Sequence, residues 1–113
     1  MAGRRQLICA SGELTDGGDG VRFEFERFGR REPAFVVRFE GRVHAYVNRC
    51  AHVPSELDWL PGRFFDDDGR LLICATHGAV YDPASGACRG GPCRGGLERL
   101  GVLEVDGAVW LVD

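Results

Sequence analysis

Val21, Phe23 and Phe25 alternate with Arg22, Glu24 and Glu26. A period of two predicts a β-strand with one face in a core and the other in water. Two apolar runs follow, 34–39 (Ala-Phe-Val-Val-Arg-Phe) and 43–47 (Val-His-Ala-Tyr-Val), on either side of Glu40-Gly41-Arg42. Two such runs around a short glycine-bearing turn predict a hairpin. Leu71 to Cys74 is a further short β run, and 97–105 and 108–112 surround Asp106-Gly107, a strong hairpin signal. An apolar run that includes Cys9 predicts a first strand. Ser55 to Leu60 has room for one helical turn. No amphipathic pattern exceeds about two turns of helix. The chain reads as all-β, without internal repeats or low-complexity segments.

Length and composition narrow this further. At 113 residues and 44% hydrophobic, with seven Phe and two Trp, the chain can bury one small core and forms a single domain over 1–113. Residues 1–48 and 95–113 supply a β base. Residues 49–94 hold most of the cysteines and a Gly/Pro-rich stretch, and form an inserted subdomain. A net charge of −3 with no basic run gives no case for nucleic acid. No apolar stretch nears the roughly 20 residues of a membrane span. Arg4-Arg5-Gln6-Leu7 has a twin-arginine look, but Ser11-Gly12-Glu13 follows at once, too early for the apolar core of about 7–15 residues that an export signal needs. The default compartment is the cytoplasm, where cysteine serves metal binding more often than structural disulfides.

The chemistry concentrates in Cys50-Ala51-His52 and Cys74-Ala75-Thr76-His77, with twenty-one residues between His52 and Cys74. Each pair offers one thiolate and one imidazole. A [2Fe–2S] cluster with two Cys on one iron and two His on the other needs that asymmetry. A structural zinc ion could use the same four side chains. Once these His are taken, only His44 remains, so a mononuclear non-haem iron site of two His and a carboxylate cannot be built. Nor is there a Gly-x-Gly-x-x-Gly fingerprint for a nucleotide or flavin.

The wider pattern favours iron. Cys50-x-His52, then Cys74-x-x-His77-Gly78-Ala79-x-Tyr81-Asp82-x-x-Ser85-Gly86, resembles the signature of Rieske [2Fe–2S] proteins. Gly91-Pro92 with Leu97 is similar to the family's proline loop, which covers the cluster. The resemblance runs from about residue 34 to the C-terminus. It implies an antiparallel β sandwich or barrel base with an inserted cluster-binding subdomain, and one [2Fe–2S] cluster per chain. Cys50 and Cys74 would hold an inner iron, and His52 and His77 an outer one through which electrons leave. The spacer is longer than in typical relatives, with the excess at Asp58 to Asp68. High-potential members carry an extra, disulfide-bonded Cys in each ligand loop and a Ser against a bridging sulfide. Here those positions are Ser55, Thr76 and Ala79. Tyr81 is kept where its hydroxyl can reach a ligand sulfur. The implied type is a soluble ferredoxin, a one-electron carrier rather than an enzyme. Its partners would be a reductase and a terminal oxygenase or another oxidoreductase. A zinc-stabilised binding module and a regulatory redox-sensing domain are the alternative functions.

Other residues read more plainly. Cys9 and His44 belong to strands and are expected in the core. Cys88 and Cys93 bracket Gly90-Gly91-Pro92. A disulfide is sterically possible, but a reducing compartment favours two thiols that fill space. Arg49, Arg89 and Arg94 form a solvated rim or, on a second reading, a dock for an acidic partner. Trp59, Phe64 and Phe65 are expected to anchor the long spacer on the base.

Overall fold

Residues 34–37 and 44–48 form two unbroken buried runs, because the strands that carry them are covered on both faces. The computed structural model describes residues 5–50, 56–58, 60–74, 78–93 and 95–112. Its strands are β1 (Arg5–Ala10), β2 (Val21–Arg27), β3 (Arg30–Phe39), β4 (Arg42–Val47), β5 (Leu72–Ile73), β6 (Val80–Tyr81), β7 (Cys88–Gly90), β8 (Arg99–Leu100), β9 (Val102–Val105) and β10 (Ala108–Val112). A 3-10 turn lies at Ser11–Glu13. The fold is all-β. The antiparallel sheets run β1-β10-β9, β2-β3-β4-β8 and β5-β6-β7.

Strand alternation assigns the two faces of the central pair β3–β4. Val36 and Ala45 pack against Cys9, Leu14 and Val109, and Ala34 and Val47 against Phe25 and Leu111. That face makes a sandwich with the β1-β10-β9 sheet. Phe35, Val37 and Tyr46 point the other way, into a core with Cys50, Leu57, Phe64, Leu72, Cys74, Ala79, Tyr81 and Leu97. The β base therefore forms the floor of the region that contains both candidate cysteine ligands. Cys9 and His44 are buried, as their patterns predict. Burial pushes the His44 imidazole below its usual pKa, so it is neutral at pH 7 and structural.

Two local readings change. The run 97–105 is not one strand: β8 joins the β4 edge while β9 pairs with β10. The handover is at Gly101, whose carbonyl accepts the Val112 N–H at 2.9 Å. The strand that begins the first hairpin also starts earlier than the apolar run, at Arg30. Its charged residues are held by cross-strand pairs, Arg31–Glu24 at 3.0 Å and Arg27 with Glu32 at 3.7 Å. The expected turn at Ser55 to Leu60 falls partly outside the described residues.

The β2–β3 turn is Phe28-Gly29, with φ of +54° and +72°. Both values suit the right-handed twist of a two-residue hairpin, but an aromatic residue is strained there. Left-handed backbone costs an L-residue about 1–2 kcal/mol, and Asn tolerates it better. Phe28 is 91% exposed, and its ring meets the Arg27 guanidinium at 5.6 Å. Phe28→Asn is therefore expected to stabilise by about 0.5–1 kcal/mol, which at about 4–8 °C per kcal/mol raises Tm by several degrees. Thermal melts test this. A lower Tm would show that the ring contact outweighs the strain.

Candidate metal centre

The first ligand loop leaves the end of β4. Cys50 is three residues past Val47 and is buried. Behind it lies a buried polar node. The Asn48 backbone N–H donates to the Pro33 carbonyl at 2.9 Å. Its side-chain oxygen accepts the Leu57 N–H at 2.9 Å, and its amide nitrogen donates to Asp58 Oδ1 at 3.1 Å. Asp58 Oδ2 accepts the Gly62 N–H at 3.0 Å and faces Arg22 Nε at 3.4 Å. A fully buried carboxylate is thus satisfied by two hydrogen bonds and one guanidinium. The node clips together the two ends of the chain segment that contains Cys50 and His52.

The second loop follows β5. Cys74 is fully buried. Its N–H donates to the Ala79 carbonyl and its carbonyl accepts the Gly78 N–H, each at 2.8 Å. Those bonds tie the ends of the segment that bears His77. From β6, the Tyr81 hydroxyl lies 3.4 Å from Cys50 Sγ. It bridges the strand after one loop and the sulfur of the other. Tyr46 fixes the next stretch by donating its hydroxyl to the Pro83 carbonyl at 2.6 Å. Burial pushes the Tyr46 pKa up to about 12, so it remains a donor.

Phe64 anchors the long spacer by stacking on Phe35, with ring centroids 4.0 Å apart. Phe65 stacks on Phe39 at 6.0 Å. Both were expected as anchors. Trp59, the third, lies outside the described residues, as do His52, His77, Ser55, Thr76 and Arg94. Arg49 is engaged within the chain, 2.7 Å from Glu32, and Arg89 lies 3.9 Å from Asp82.

Cys88 and Cys93 are not two thiols. They form a disulfide with Cα atoms 6.0 Å apart, well inside the usual window. The Gly90-Gly91-Pro92 turn brings Cys93 back beside β7. Gly91 has φ of +82°, and a Cβ there would meet Ala79 Cα and the Gly78 oxygen at 2.8 Å. This loop therefore rests directly on the backbone of the second ligand loop. Asn48 was missed by sequence reasoning. A lone Asn is no signal, and its partners become visible only once the spacer is folded.

A model of the Rieske [2Fe–2S] domain matches residues 4–101. No curated protein matches the chain. Among solved structures, a ferredoxin of Sphingomonas yanoikuyae B1 is 24% identical with a TM-score of 0.78, covering 97% of this chain and 99% of its own. The ferredoxin of carbazole 1,9a-dioxygenase from Nocardioides aromaticivorans IC177 is 21% identical with a TM-score of 0.72, covering 95% of each chain. A putative NADH-dependent nitrite reductase small subunit from Mycobacterium tuberculosis is 18% identical with a TM-score of 0.75, covering 100% of this chain and 97% of its own. At these identities the likeness is one of fold.

Proposed function

This chain belongs to the Rieske [2Fe–2S] domain family, and we propose that it is a ferredoxin-type carrier of single electrons. The group bound by the family is a [2Fe–2S] cluster. The residues present fit it: two buried cysteines share one apolar core, a tyrosine hydroxyl faces one of the sulfurs, and a glycine loop without side-chain bulk covers the second ligand loop. When bound, such a cluster accepts and returns one electron.

In this reading Cys50 and Cys74 bind one iron as thiolates, and His52 and His77 bind the other as imidazoles. Leu57, Phe64, Leu72 and Leu97 keep water from the cysteine side. Tyr81 donates its hydroxyl to the Cys50 sulfur and so favours added negative charge there. The convergence of Cys50 and Cys74 in one buried core, with the Tyr81 hydroxyl 3.4 Å from the Cys50 sulfur, is the observation that most supports the reading.

The electron would come from a reductase and pass to a terminal oxygenase or another oxidoreductase. The names of the similar structures, a dioxygenase ferredoxin and a nitrite reductase small subunit, support partners of these kinds. No helix among the described residues is long and apolar enough to cross a membrane, and the proposed setting is the cytoplasm. The division into a β base and a cluster-binding subdomain at 49–94 is proposed on the same grounds.

Metal and sulfide analysis tests the function. Two irons and two acid-labile sulfides per chain, with a visible spectrum bleached by one electron equivalent, are expected. One zinc and no sulfide would overturn the reading in favour of a zinc-stabilised module. Tyr81→Phe gives a finer check. Taking the lost hydrogen bond as about 1 kcal/mol, the midpoint potential should fall by roughly 40 mV. Voltammetry showing no fall would mean that the hydroxyl does not bond the Cys50 sulfur in the loaded protein.

A further inference from the structure

We propose that Cys88–Cys93 is a second redox site, a disulfide that exchanges with a dithiol reductant of the Cys-x-x-Cys class and thereby latches or frees the loop over the second ligand loop. Its effect on metal retention rests on the cluster reading above; the exchange itself does not.

Placement carries the argument. Both cysteines are half-buried and pack at the margin of the core that contains Cys50 and Cys74. Cys88 pairs across the sheet with Tyr81, whose hydroxyl faces the Cys50 sulfur. The disulfide is thus two contacts from a proposed ligand. Between the cysteines, Arg89, Gly91 and Pro92 are exposed, so a reductant can approach from solvent.

The bond acts locally. The two cysteines are only five positions apart, and a short ring removes little entropy from the unfolded chain compared with a long one. Its weight falls instead on the loop that it closes. Among the described residues that loop includes a weak element: β7 is an edge strand of three residues, and its register with β6 is broken between Val80 and Tyr81. With both ends pinned by sulfur, Gly91 is held against Gly78 and Ala79. With the bond open, two glycines leave the loop free to lift.

The step balances. A thiolate of the reductant attacks one sulfur of the pair and expels the other as a thiolate, forming a mixed disulfide. The reductant's second thiolate then attacks that mixed disulfide and releases the remaining cysteine. The protein gains two electrons and, on protonation of both thiolates, two protons. The reductant leaves as its own disulfide.

The test uses the purified protein with its iron and sulfide content measured first. It is incubated anaerobically with a thioredoxin-type dithiol protein, quenched with iodoacetamide and mapped by mass spectrometry. The expected result is alkylation of Cys88 and Cys93 but not Cys9, with the visible spectrum retained. Iron loss to a chelator should then be at least threefold faster than from the untreated protein. The Cys88→Ser/Cys93→Ser double variant should lose iron at that faster rate without reductant and show no response to it. Labelling that appears only with bleaching or in denaturant overturns the proposal, as does an equal rate of iron loss from the two forms. A preparation without iron and sulfide overturns the cluster reading instead, while the labelling still decides whether the disulfide exchanges.

Discussion

Protein carrying His52→Ala or His77→Ala is expected to purify without the two irons, two sulfides and visible spectrum of the parent. Each iron of a [2Fe–2S] pair takes two bridging sulfides and two protein donors. Removing one imidazole leaves an iron open to water. The chain has three His, and the third cannot substitute. His44 is fixed in β4 opposite Val37, with its ring buried and held neutral. His44→Gln should therefore keep the spectrum, and so should Cys9→Ala, since Cys9 belongs to the core on the other face of β4. His52→Cys restores a fourth donor. It should recover a cluster whose midpoint is lower, because a thiolate adds negative charge where an imidazole added none. Iron and sulfide assays with absorption spectra decide the matter. A parent-like spectrum in His77→Ala would sink the ligand assignment.

Much of the fold was legible because its strands obey a period of two or lie in fully buried runs. The β3–β4 and β9–β10 hairpins turn at Gly41 and at Asp106-Gly107, residues that accept positive φ, although Glu40 at φ +52° does not favour it. The β2–β3 turn was not legible, since Phe28 is an unlikely occupant of a left-handed position and the charged residues after it hide the start of β3. Strands of two or three residues, such as β6 and β7, are too short to show any period. At the candidate site, the resemblance places the Tyr81 hydroxyl near a cysteine sulfur, and the structure shows it 3.4 Å from Cys50; the proposed pairing of His52 and His77 with Cys50 and Cys74 rests on sequence spacing alone. The Cys88–Cys93 bond was not legible, because compartment chemistry argued against a pairing that the Gly-Gly-Pro turn makes geometrically easy. Asn48 and Asp58 stayed hidden for another reason. Their importance lies in satisfying each other and backbone groups up to nine residues away, and no local pattern encodes that.

That node sets the largest stability effect expected for any residue that does not bind metal. Asp58→Ala removes the acceptor for the Asn48 amide and the Gly62 N–H, and leaves Arg22 with Glu56 alone. Arg22 is 40% exposed and keeps Glu56, so the cost comes from the two donors left without their acceptor, about 1–3 kcal/mol each. Asn48→Ala orphans the Leu57 N–H and takes one donor from the buried carboxylate, a loss of about 1–3 kcal/mol. The double variant should cost less than the sum, because the Asn48–Asp58 bond can be lost only once. Denaturant unfolding of all four proteins gives the coupling energy. Additive losses would show that the two side chains act independently. The node also clips the ends of the segment bearing Cys50 and His52, so both single variants should yield fewer irons per chain than the parent, and Asp58→Asn, which keeps one acceptor oxygen, should fall between. Full iron content in Asp58→Ala, alongside the predicted loss of stability, would confine the node to holding the spacer and leave positioning of the ligand loop to other contacts.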